Sequence, residues 1–329
     1  MQKSRIIASG SYVPERVVTN QWFNELLGED VDTWLRENLT IRERRWMTEG
    51  QTTSDLCVEA GKEALKMAGL KPTDIDLLII ATDTPDFISP STASVVQHKM
   101  GLTNATSLDT NTACAGFPTA LTIANSMMVA EARYKKVMVM GAYGMSRFLN
   151  LKDKKTVTLF ADGAGAVILE PTTNPEKGFQ SSDLRTKGQY HTYMGIYTGG
   201  TADPVTEEKV AASQHFLQFV EKFPKELNPT MWSDMIRTVA ERANVEVPHI
   251  SKVFITQINI NQIRETLDIL GLPWETAPTI MSNYGYTGSA AIPMVFDKEL
   301  RSGTFKEGDI HVFIGSGGGL HFGACLYKW

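Results

Sequence analysis

The chain has 329 residues, of which 42% are hydrophobic and 21% are charged, and its formal net charge is −5. Single hydrophobic cores stop growing near ~250–300 residues, so this length predicts two domains or one large fused core. The acidic balance, without a long basic run, excludes a typical nucleic-acid-binding domain.

Two further features narrow the class of protein. The sequence has no apolar run of the ~18 residues needed to span a membrane, and the first residues lack the apolar segment of a signal peptide. The three cysteines, Cys57, Cys114 and Cys325, have neither paired spacing nor metal-binding spacing. We therefore expect a cytoplasmic protein with free thiols, no metal site, no membrane span and no nucleic-acid partner.

The first half of the chain reads as alternating helices and strands. Apolar residues at helical spacing, closed by a glycine, predict a helix over 54–69, and a short β-branched run predicts a buried strand over 76–84. A second helix over 89–101 and a short strand over 106–110 follow. The next predictions are a long helix after residue 114, a strand over 135–142, and a strand, glycine-rich turn and strand over 157–171.

The same order recurs in the second half. It contains a helix over 230–245, a strand over 249–257, a helix over 260–273, a strand, turn and helix over 277–300, and a strand, glycine-rich turn and strand over 309–329. This α/β repeat predicts two pseudo-symmetric halves, 1–172 and 173–329, with largely parallel sheets. Five layers follow, αβαβα, with the two inner helices packed against each other.

Cys114 stands in the segment DTNTACAGFP, directly before a predicted helix. From the residues alone, two interpretations are open. A cysteine among small residues is often an inert core residue. A thiol at a helix N-terminus instead meets the positive end of the helix dipole, which favours the thiolate and lowers its pKa from about 8.5. Small neighbours also let a thioester carbonyl approach backbone N–H donors.

The glycine-rich segments ADGAGA and GSGGG raise the possibility of a nucleotide site. A phosphate-binding loop must open a helix, and both segments are followed by sequences that read as strands. We therefore interpret these glycines as positions of close backbone approach.

Three motifs together carry a family resemblance. TACAGFPTAL, FADGAGAVIL and IGSGGGLHFGACL, in this order, resemble the β-ketoacyl-acyl-carrier-protein synthase III family of the thiolase superfamily, and VDTWLRENLTIRERR resembles its coenzyme A segment. The resemblance spans nearly the whole chain. It implies the five-layered thiolase-like fold, a homodimer, and an acyl group carried on Cys114. It also implies backbone oxyanion donors at Cys114 and Gly318, with acyl-CoA or acyl-carrier-protein thioesters as substrates and no tightly bound cofactor.

The sequence departs from the family at two positions. Members that condense malonyl thioesters have a His-Gln-Ala-Asn segment and a Gly-Asn-Thr turn, whose His and Asn support decarboxylation. We expect Gln257 at the His position and Tyr286 at the Asn position. Neither side chain is a base near neutral pH, although both can donate hydrogen bonds. His321, two residues after the glycine run, is a candidate for assisting Cys114.

The resemblance also implies an entrance for the substrate. Trp34 corresponds to the aromatic residue that stacks on adenine, and Lys154 to a basic partner. Two family arginines are absent from their expected positions, but Arg36 and Arg264 lie close by in the sequence. Phe87, in the loop at 84–92, corresponds to a wall of the acyl pocket contributed by the partner subunit.

These observations lead to one main hypothesis and two alternatives. The main hypothesis is an acyltransferase of the synthase III type, which condenses an acyl group on Cys114 with a malonyl-type or other nucleophile in fatty-acid or secondary-metabolite biosynthesis. The first alternative is a transfer without decarboxylation, to an oxygen, nitrogen or activated carbon nucleophile. The second is a non-catalytic subunit that supports an active paralogue.

Overall fold

The computed structural model describes residues 3–329. The first half contains β1 (Lys3–Tyr12), β2 (Arg16–Thr19), α1 (Asn20–Leu27), α2 (Asp32–Leu39), β3 (Glu43–Trp46), α3 (Thr53–Ala68), β4 (Leu77–Ala81), α4 (Thr92–Met100), β5 (Thr106–Thr110), α5 (Gly116–Ala130), β6 (Val137–Gly144), α6 (Lys154–Val157) and β7 (Asp162–Thr172). The second contains β8 (Gly178–Thr186), β9 (Met194–Gly195), α7 (Glu207–Ala211), β10 (Gln218–Phe219), α8 (Leu227–Arg242), β11 (Ile250–Ile255), α9 (Ile260–Leu270), α10 (Met281–Tyr284), α11 (Ala291–Arg301), β12 (Ile310–Gly317) and β13 (His321–Lys328).

Two main sheets form the framework. The first has the order β1-β7-β6-β4-β5, and the second has the order β11-β12-β13-β8. Only β4–β5, β4–β6 and β11–β12 pair in parallel, whereas the other pairs within these two sheets are antiparallel. The prediction of largely parallel sheets is therefore wrong. No long crossover helix separates β6 from β7 or β12 from β13, so these neighbours run in opposite directions.

The helices and sheets stack in five layers, as predicted. Helix α3 covers the outer face of the first sheet, and α8 covers the outer face of the second. Helices α5 and α11 lie between the sheets, and each contacts strands of both. Their first turns approach each other, since a Cβ added at Gly116 would lie 3.7 Å from Cβ of Ser289. The fold is the α/β thiolase-like architecture.

Glycines in the strands allow the inner helices to come this close. A Cβ at Gly165 of β7 would lie 2.7 Å from Cβ of Pro293, in α11. A Cβ at Gly141 of β6 would lie 2.2 Å from the carbonyl oxygen of Ser289. Both distances are below van der Waals contact, so larger residues here would push α11 away from the first sheet.

Two local predictions differ from the structure. Residues 162–172 form one continuous strand, so the glycines of ADGAGA lie within β7 rather than in a turn. Residues 277–280 form no strand, and the short helix α10 follows them. Periodicity alone does not distinguish a short apolar strand from an apolar loop, which explains the second difference.

Helix α5 is the most apolar part of the inner layer. The stretch Ala113–Ala130 is long and apolar enough to cross a membrane, contrary to the sequence-based expectation that no such segment exists, but 61% of it is buried. Because it lies between the two sheets, it is a core helix of this fold.

Candidate active site

Cys114 lies in a tight turn between β5 and α5. Residues Ala113–Ala115 form a single 3₁₀ turn, in which the Ala115 N–H donates to the Thr112 carbonyl at 3.1 Å. Ala113 has a left-handed φ of 45°, which is uncommon for a residue with a Cβ atom. The turn directs Cys114 inward, where only 2% of the residue is exposed. Strained backbone of this kind is frequently found at functional positions.

Two glycines of β12 make room for this turn. A Cβ at Gly315 would lie 2.8 Å from the Cys114 carbonyl oxygen, and a Cβ at Gly317 would lie 2.4 Å from the Cys114 nitrogen. Any side chain at Gly317 would therefore displace the backbone of the turn. The glycines interpreted from the sequence as positions of close approach thus lie directly against Cys114.

The surroundings of the Cys114 thiol raise its pKa. Burial is the largest cause, and the nearby carboxylate of Asp83 adds to it by charge repulsion. The Tyr286 hydroxyl hydrogen-bonds to the sulfur and opposes this shift, as does the backbone of Cys114 itself. The expectation of a lowered thiol pKa is therefore wrong, because the desolvation of the thiolate outweighs the hydrogen bonds that favour it. The resting side chain is a neutral thiol.

Tyr286 is held firmly at the other side of the thiol. Its N–H donates to the Leu159 carbonyl, and its own carbonyl accepts from the Ala161 N–H, each at 2.9 Å. The ring packs on Phe160 with centroids 5.5 Å apart, and 1% of the residue is exposed. Burial and the proximity of Cys114 raise the pKa of the phenol well above its usual value, so the hydroxyl is a hydrogen-bond donor rather than a base.

Gln257 does not face the thiol, which corrects the sequence-based expectation. Its side-chain amide donates to the Pro278 carbonyl at 3.2 Å, and its Oε1 accepts from the Ile280 N–H at 2.8 Å. Thr256 lies on the opposite side of the chain, because successive side chains alternate along an extended segment. Its Oγ1 is 2.9 Å from a Cβ added at Gly315, the same glycine that contacts Cys114.

Thr256 therefore occupies the position that the prediction assigned to Gln257. The run Thr256-Gln257-Ile258-Asn259 matches His-Gln-Ala-Asn with the threonine in place of the histidine. The Thr256 hydroxyl accepts from the Ser316 N–H at 3.1 Å, and 1% of the residue is exposed. The sequence did contain a signal for this alignment: Gln and Asn stand at the second and fourth positions of the family segment and also of residues 256–259.

A cavity of about 250 Å³ connects the thiol to the surface. We call it the thiol cavity; its walls include Cys114, Tyr286, Gly318 and Trp34. Asn259 and Gln262 supply amide groups to the wall, and Leu159 and Phe219 supply apolar surface. Gly318, predicted as an oxyanion donor, thus lies in the same cavity as Cys114.

His321 does not line the thiol cavity within the described chain. Its Nδ1 lies 3.3 Å from the Thr186 hydroxyl, and its ring packs against Gly319. Assistance of Cys114 by His321 stays a prediction, without a contact to support it. Among residues 3–329, no group of three His, Cys, Asp or Glu side chains is arranged to hold a metal ion.

The outer end of the thiol cavity adjoins a second opening of about 360 Å³, which we call the entrance cavity. The two cavities share Trp34 and Leu159, and Lys154 and Lys155 line the entrance cavity. The indole of Trp34 is 55% exposed, and Lys154 forms an ion pair with Glu29 at 2.7 Å. An accessible aromatic ring beside two lysines can stack on a base and attract phosphates.

The remaining predicted residues lie elsewhere. Arg36 pairs with Asp32 one turn earlier in α2, and Arg264 lies over the Trp274 ring at 5.1 Å. Neither arginine lines the thiol or entrance cavity in the described chain, which contradicts the prediction that they substitute for the family arginines there. Phe87 is 55% exposed in the loop after β4 and contacts neither cavity.

Comparisons with known proteins agree with this geometry. The family model for 3-oxoacyl-[acyl-carrier-protein] synthase III matches residues 108–188, and the model for the C-terminal part of the same family matches residues 240–329. The first match includes the turn at Cys114, and the second includes Thr256, Tyr286 and Gly318.

Similar proteins cover the whole chain. A β-ketoacyl-[acyl-carrier-protein] synthase III of Natranaerobius thermophilus is 34% identical over 100% of both chains, and an acetoacetyl-CoA synthase of Streptomyces sp. is 36% identical over 99% of this chain and 98% of its own. The crystal structure of a 3-oxoacyl-[acyl-carrier-protein] synthase III from Aquifex aeolicus superposes with a TM-score of 0.88 at 29% identity, covering 99% of this chain and all of the other. The enzyme from Pseudomonas aeruginosa gives 0.90 at 27%, covering 99% and 98%. The chain therefore belongs to the 3-oxoacyl-[acyl-carrier-protein] synthase III family of the thiolase superfamily, and it is an acyltransferase.

Proposed function

We propose that Cys114 is the nucleophile that takes an acyl group from a thioester. The observation that carries this proposal is the position of Cys114: it lines a cavity that opens beside Trp34, with Gly317 against its backbone and Gly318 in the same cavity wall. The sulfur attacks the thioester carbonyl, the bond from that carbon to the leaving sulfur breaks, and the thiol proton passes to the leaving thiolate. Backbone N–H groups of Cys114 and Gly318 stabilise the oxyanion.

The donor is an acyl-CoA or an acyl-carrier-protein thioester. Both share a pantetheine arm, which would lie in the thiol cavity between Trp34 and Cys114. The entrance cavity, with its exposed indole and its two lysines, is suited to bind the phosphate-bearing nucleotide of an acyl-CoA. No tightly bound cofactor is part of this chemistry, since the thioester itself supplies the activated acyl group.

The acceptor is a malonyl-type thioester in the main proposal. Loss of CO₂ from malonyl leaves a carbanion, which attacks the acyl-Cys114 carbonyl; the thiolate leaves and takes a proton. The product is a β-ketoacyl thioester of the kind that initiates fatty-acid or secondary-metabolite biosynthesis. The names of the relatives, β-ketoacyl synthase and acetoacetyl-CoA synthase, support this reaction class.

One observation favours a second candidate. Thr256 and Tyr286 stand where decarboxylating relatives have His and Asn, and neither side chain carries a positive charge or acts as a base near neutral pH. Transfer to an oxygen, nitrogen or already activated carbon nucleophile needs no such pair. In that case Tyr286 still serves as a donor to the acyl oxygen or the thiolate.

The proposal includes a homodimer in the cytoplasm. The loop after β4 exposes Phe87 and Ile88 at 55% and 87%, and a second copy would bury these large apolar side chains. Phe87 would then contribute to the partner subunit's acyl pocket.

The proposal also divides the chain into two halves, 1–172 and 173–329. Each half supplies one main sheet, which supports a division at that point.

Intact-mass measurements test the proposal. The protein is incubated with acetyl-CoA, longer acyl-CoAs and acylated carrier protein, as wild type and as Cys114→Ala, with Cys325→Ala as the matched control. A mass gain lost only in Cys114→Ala is expected. If no donor gives a mass gain with the wild type, the proposed acyl-enzyme intermediate is ruled out. Malonyl-carrier protein is added next, and acylation without CO₂ release excludes decarboxylation and selects the second candidate.

A further inference from the structure

A further cavity lies on the inner side of the Cys114 turn. It has a volume of about 230 Å³, and we call it the acidic cavity; its polar lining side chains are those of Asp83, Asn111, Tyr143, His191 and Tyr197, and the Tyr197 hydroxyl donates to the His191 carbonyl at 3.1 Å. It shares Met194 and Gly318 with the thiol cavity, and Ala113, next to Cys114, forms part of its wall. Because the two cavities adjoin, an acyl chain on the Cys114 sulfur would extend from the thiol cavity into this space.

Asp83 is the unusual member of the lining. It follows the buried strand β4, between Thr82 and Thr84, whose side chains both point into the protein. Its carboxylate receives a hydrogen bond from its own N–H, but Oδ1 is buried and has no hydrogen-bond partner among residues 3–329. An unpartnered buried acceptor is costly, and such groups in folded proteins commonly have a ligand or a functional reason.

Two acids of the neighbouring sheet make contacts that Asp83 lacks. Asp162 accepts from the backbone N–H groups of Met47 and Ser146, and Asp109 accepts from those of Thr92 and Ala93. Each of these carboxylates anchors a neighbouring segment. Asp83 anchors no other segment through Oδ1.

Its ionisation suits a hydrogen-bond acceptor. Burial raises the pKa of Asp83 to about 6, so the carboxylate form still predominates at neutral pH. The charge acts on Cys114, Tyr143 and Tyr286, raising the pKa of each. The Asp83 carboxylate therefore lines the adjoining cavity and also acts through its charge on the Cys114 thiol.

We propose that Asp83 selects acyl groups that carry a hydrogen-bond donor, a hydroxyl or an ammonium group, within a short chain. This inference rests on the proposed acylation of Cys114. An unsubstituted alkyl chain in the acidic cavity displaces water and gives the Asp83 carboxylate no hydrogen bond. A hydroxyl or ammonium group on the chain donates a hydrogen bond to that carboxylate. Sites built around a buried polar group reject substrates that lack the complementary group far more strongly than they reject a change in size.

Competing acylation tests this selection. Butyryl-CoA, 3-hydroxybutyryl-CoA and 3-aminobutyryl-CoA share a four-carbon chain, and the rate of Cys114 acylation is followed by intact mass. We expect the wild type to prefer one of the substituted donors over butyryl-CoA by at least about tenfold, the ratio that one charge-assisted hydrogen bond supplies. Asp83→Leu should reverse this order, because it replaces the acceptor with an apolar side chain.

Asp83→Asn separates the two donor groups. An amide oxygen still accepts from a hydroxyl, so a hydroxyl preference survives this change, whereas an ammonium preference falls with the lost charge. Asp268→Asn, at an exposed acid of α9, is the matched control and should keep the wild-type order.

The outcomes distinguish this inference from the proposed function. If butyryl-CoA acylates wild-type Cys114 as fast as both substituted donors, the selection by Asp83 is overturned while the acyl-enzyme stands. The same holds if Asp83→Leu keeps the wild-type order. If no donor, acetyl-CoA included, gives an adduct at Cys114, the proposed function fails and the inference fails with it. The wild-type comparison suffices if the leucine variant does not fold.

Discussion

The Tyr286 hydroxyl is hydrogen-bonded to the Cys114 thiol, at the closed end of the thiol cavity. This bond lowers the thiol pKa, against the larger upward effect of burial. Tyr286 is therefore the side chain that favours the Cys114 thiolate, whereas burial and the charge of Asp83 disfavour it.

Removing this hydroxyl should make the thiol less reactive. In Tyr286→Phe the thiolate loses its donor, so the Cys114 pKa rises further and less thiolate is present at any given pH. A hydrogen bond to a charged group contributes about 1.5–3 kcal/mol, which corresponds to a rate roughly ten- to a hundredfold lower. The rate of Cys114 alkylation by iodoacetamide, followed as a function of pH by intact mass, measures the change.

A matched tyrosine controls for the loss of a hydroxyl. Tyr284→Phe removes one from a side chain that lines a different surface cavity, two residues earlier. It should leave the alkylation profile of Cys114 unchanged. Equal profiles for wild type and Tyr286→Phe would contradict the role of the hydrogen bond.

The register at Thr256 gives a second prediction. Thr256→His together with Tyr286→Asn should restore CO₂ release from malonyl thioesters, or raise it by about tenfold or more, because general acid–base groups typically contribute 10²–10⁴-fold. Release of ¹⁴CO₂ from labelled malonyl-carrier protein measures the gain.

The neighbouring position is the control. Gln257→His with Tyr286→Asn should give no gain, because residue 257 points to the backbone of Pro278 and Ile280. It should also lower the melting temperature, since two buried backbone partners lose their amide. A gain from Gln257→His and none from Thr256→His would reverse the assignment of the register.

Much of the fold could be predicted because its signals are local. The helix at α3 has a regular apolar spacing and a closing glycine, and Cys114 stands among small residues directly before a long apolar helix. The repeated order of elements was enough to predict five layers with the two inner helices packed against each other.

The side-chain environment of the site depended on contacts that no local pattern encodes. A shift of one residue along an extended segment moves a side chain to the other side, and this separates Gln257 from Thr256. The raised pKa of Cys114 arises mainly from burial, with a smaller contribution from the carboxylate of Asp83, and neither can be read from the residues around Cys114. Asp83 was missed, although an acid within the apolar run predicted as a buried strand over 76–84 is a signal available in the sequence.

The close approach of Gly317 to Cys114 gives a third prediction. In Gly317→Ala the new Cβ would lie 2.4 Å from the Cys114 nitrogen, so the turn must shift. We expect Cys114 acylation to fall by about a hundredfold, as misplacing a reacting group by about 1 Å does. Gly200→Ala has no atom within 4 Å of the added Cβ and should acylate at the wild-type rate. Equal rates in both variants would contradict the requirement for a glycine at 317.

The exposed indole at the entrance gives a fourth prediction. Stacking of a base on an aromatic side chain contributes about 1–3 kcal/mol, so Trp34→Ala should raise the KM for acetyl-CoA by about tenfold with little change in kcat. Acetyl-pantetheine lacks the adenine, and its KM should be the same for wild type and variant. A similar increase for both substrates would assign Trp34 to packing of α2 rather than to recognition of the nucleotide.

The last prediction concerns stability in acid. His311 of β12 is fully buried beside Phe305 and Trp329, and within the described part of the chain neither ring nitrogen has a hydrogen-bond partner. Burial lowers the pKa of His311 to about 4. As the pH falls below about 6.5, the unfolded chain gains a proton on this side chain that the folded protein does not accept until about pH 4.

The free energy of unfolding should therefore decrease over this interval, by about 3 kcal/mol from this residue alone. His311→Phe keeps an aromatic ring among the same neighbours and cannot take up a proton, so it should remain more stable than the wild type at pH 4.5 and lose less stability between pH 7 and pH 4.5. Urea unfolding at both pH values measures the difference, with the exposed His98→Gln of α4 as control. If His311→Phe loses as much stability as the wild type, another group is responsible for the acid sensitivity.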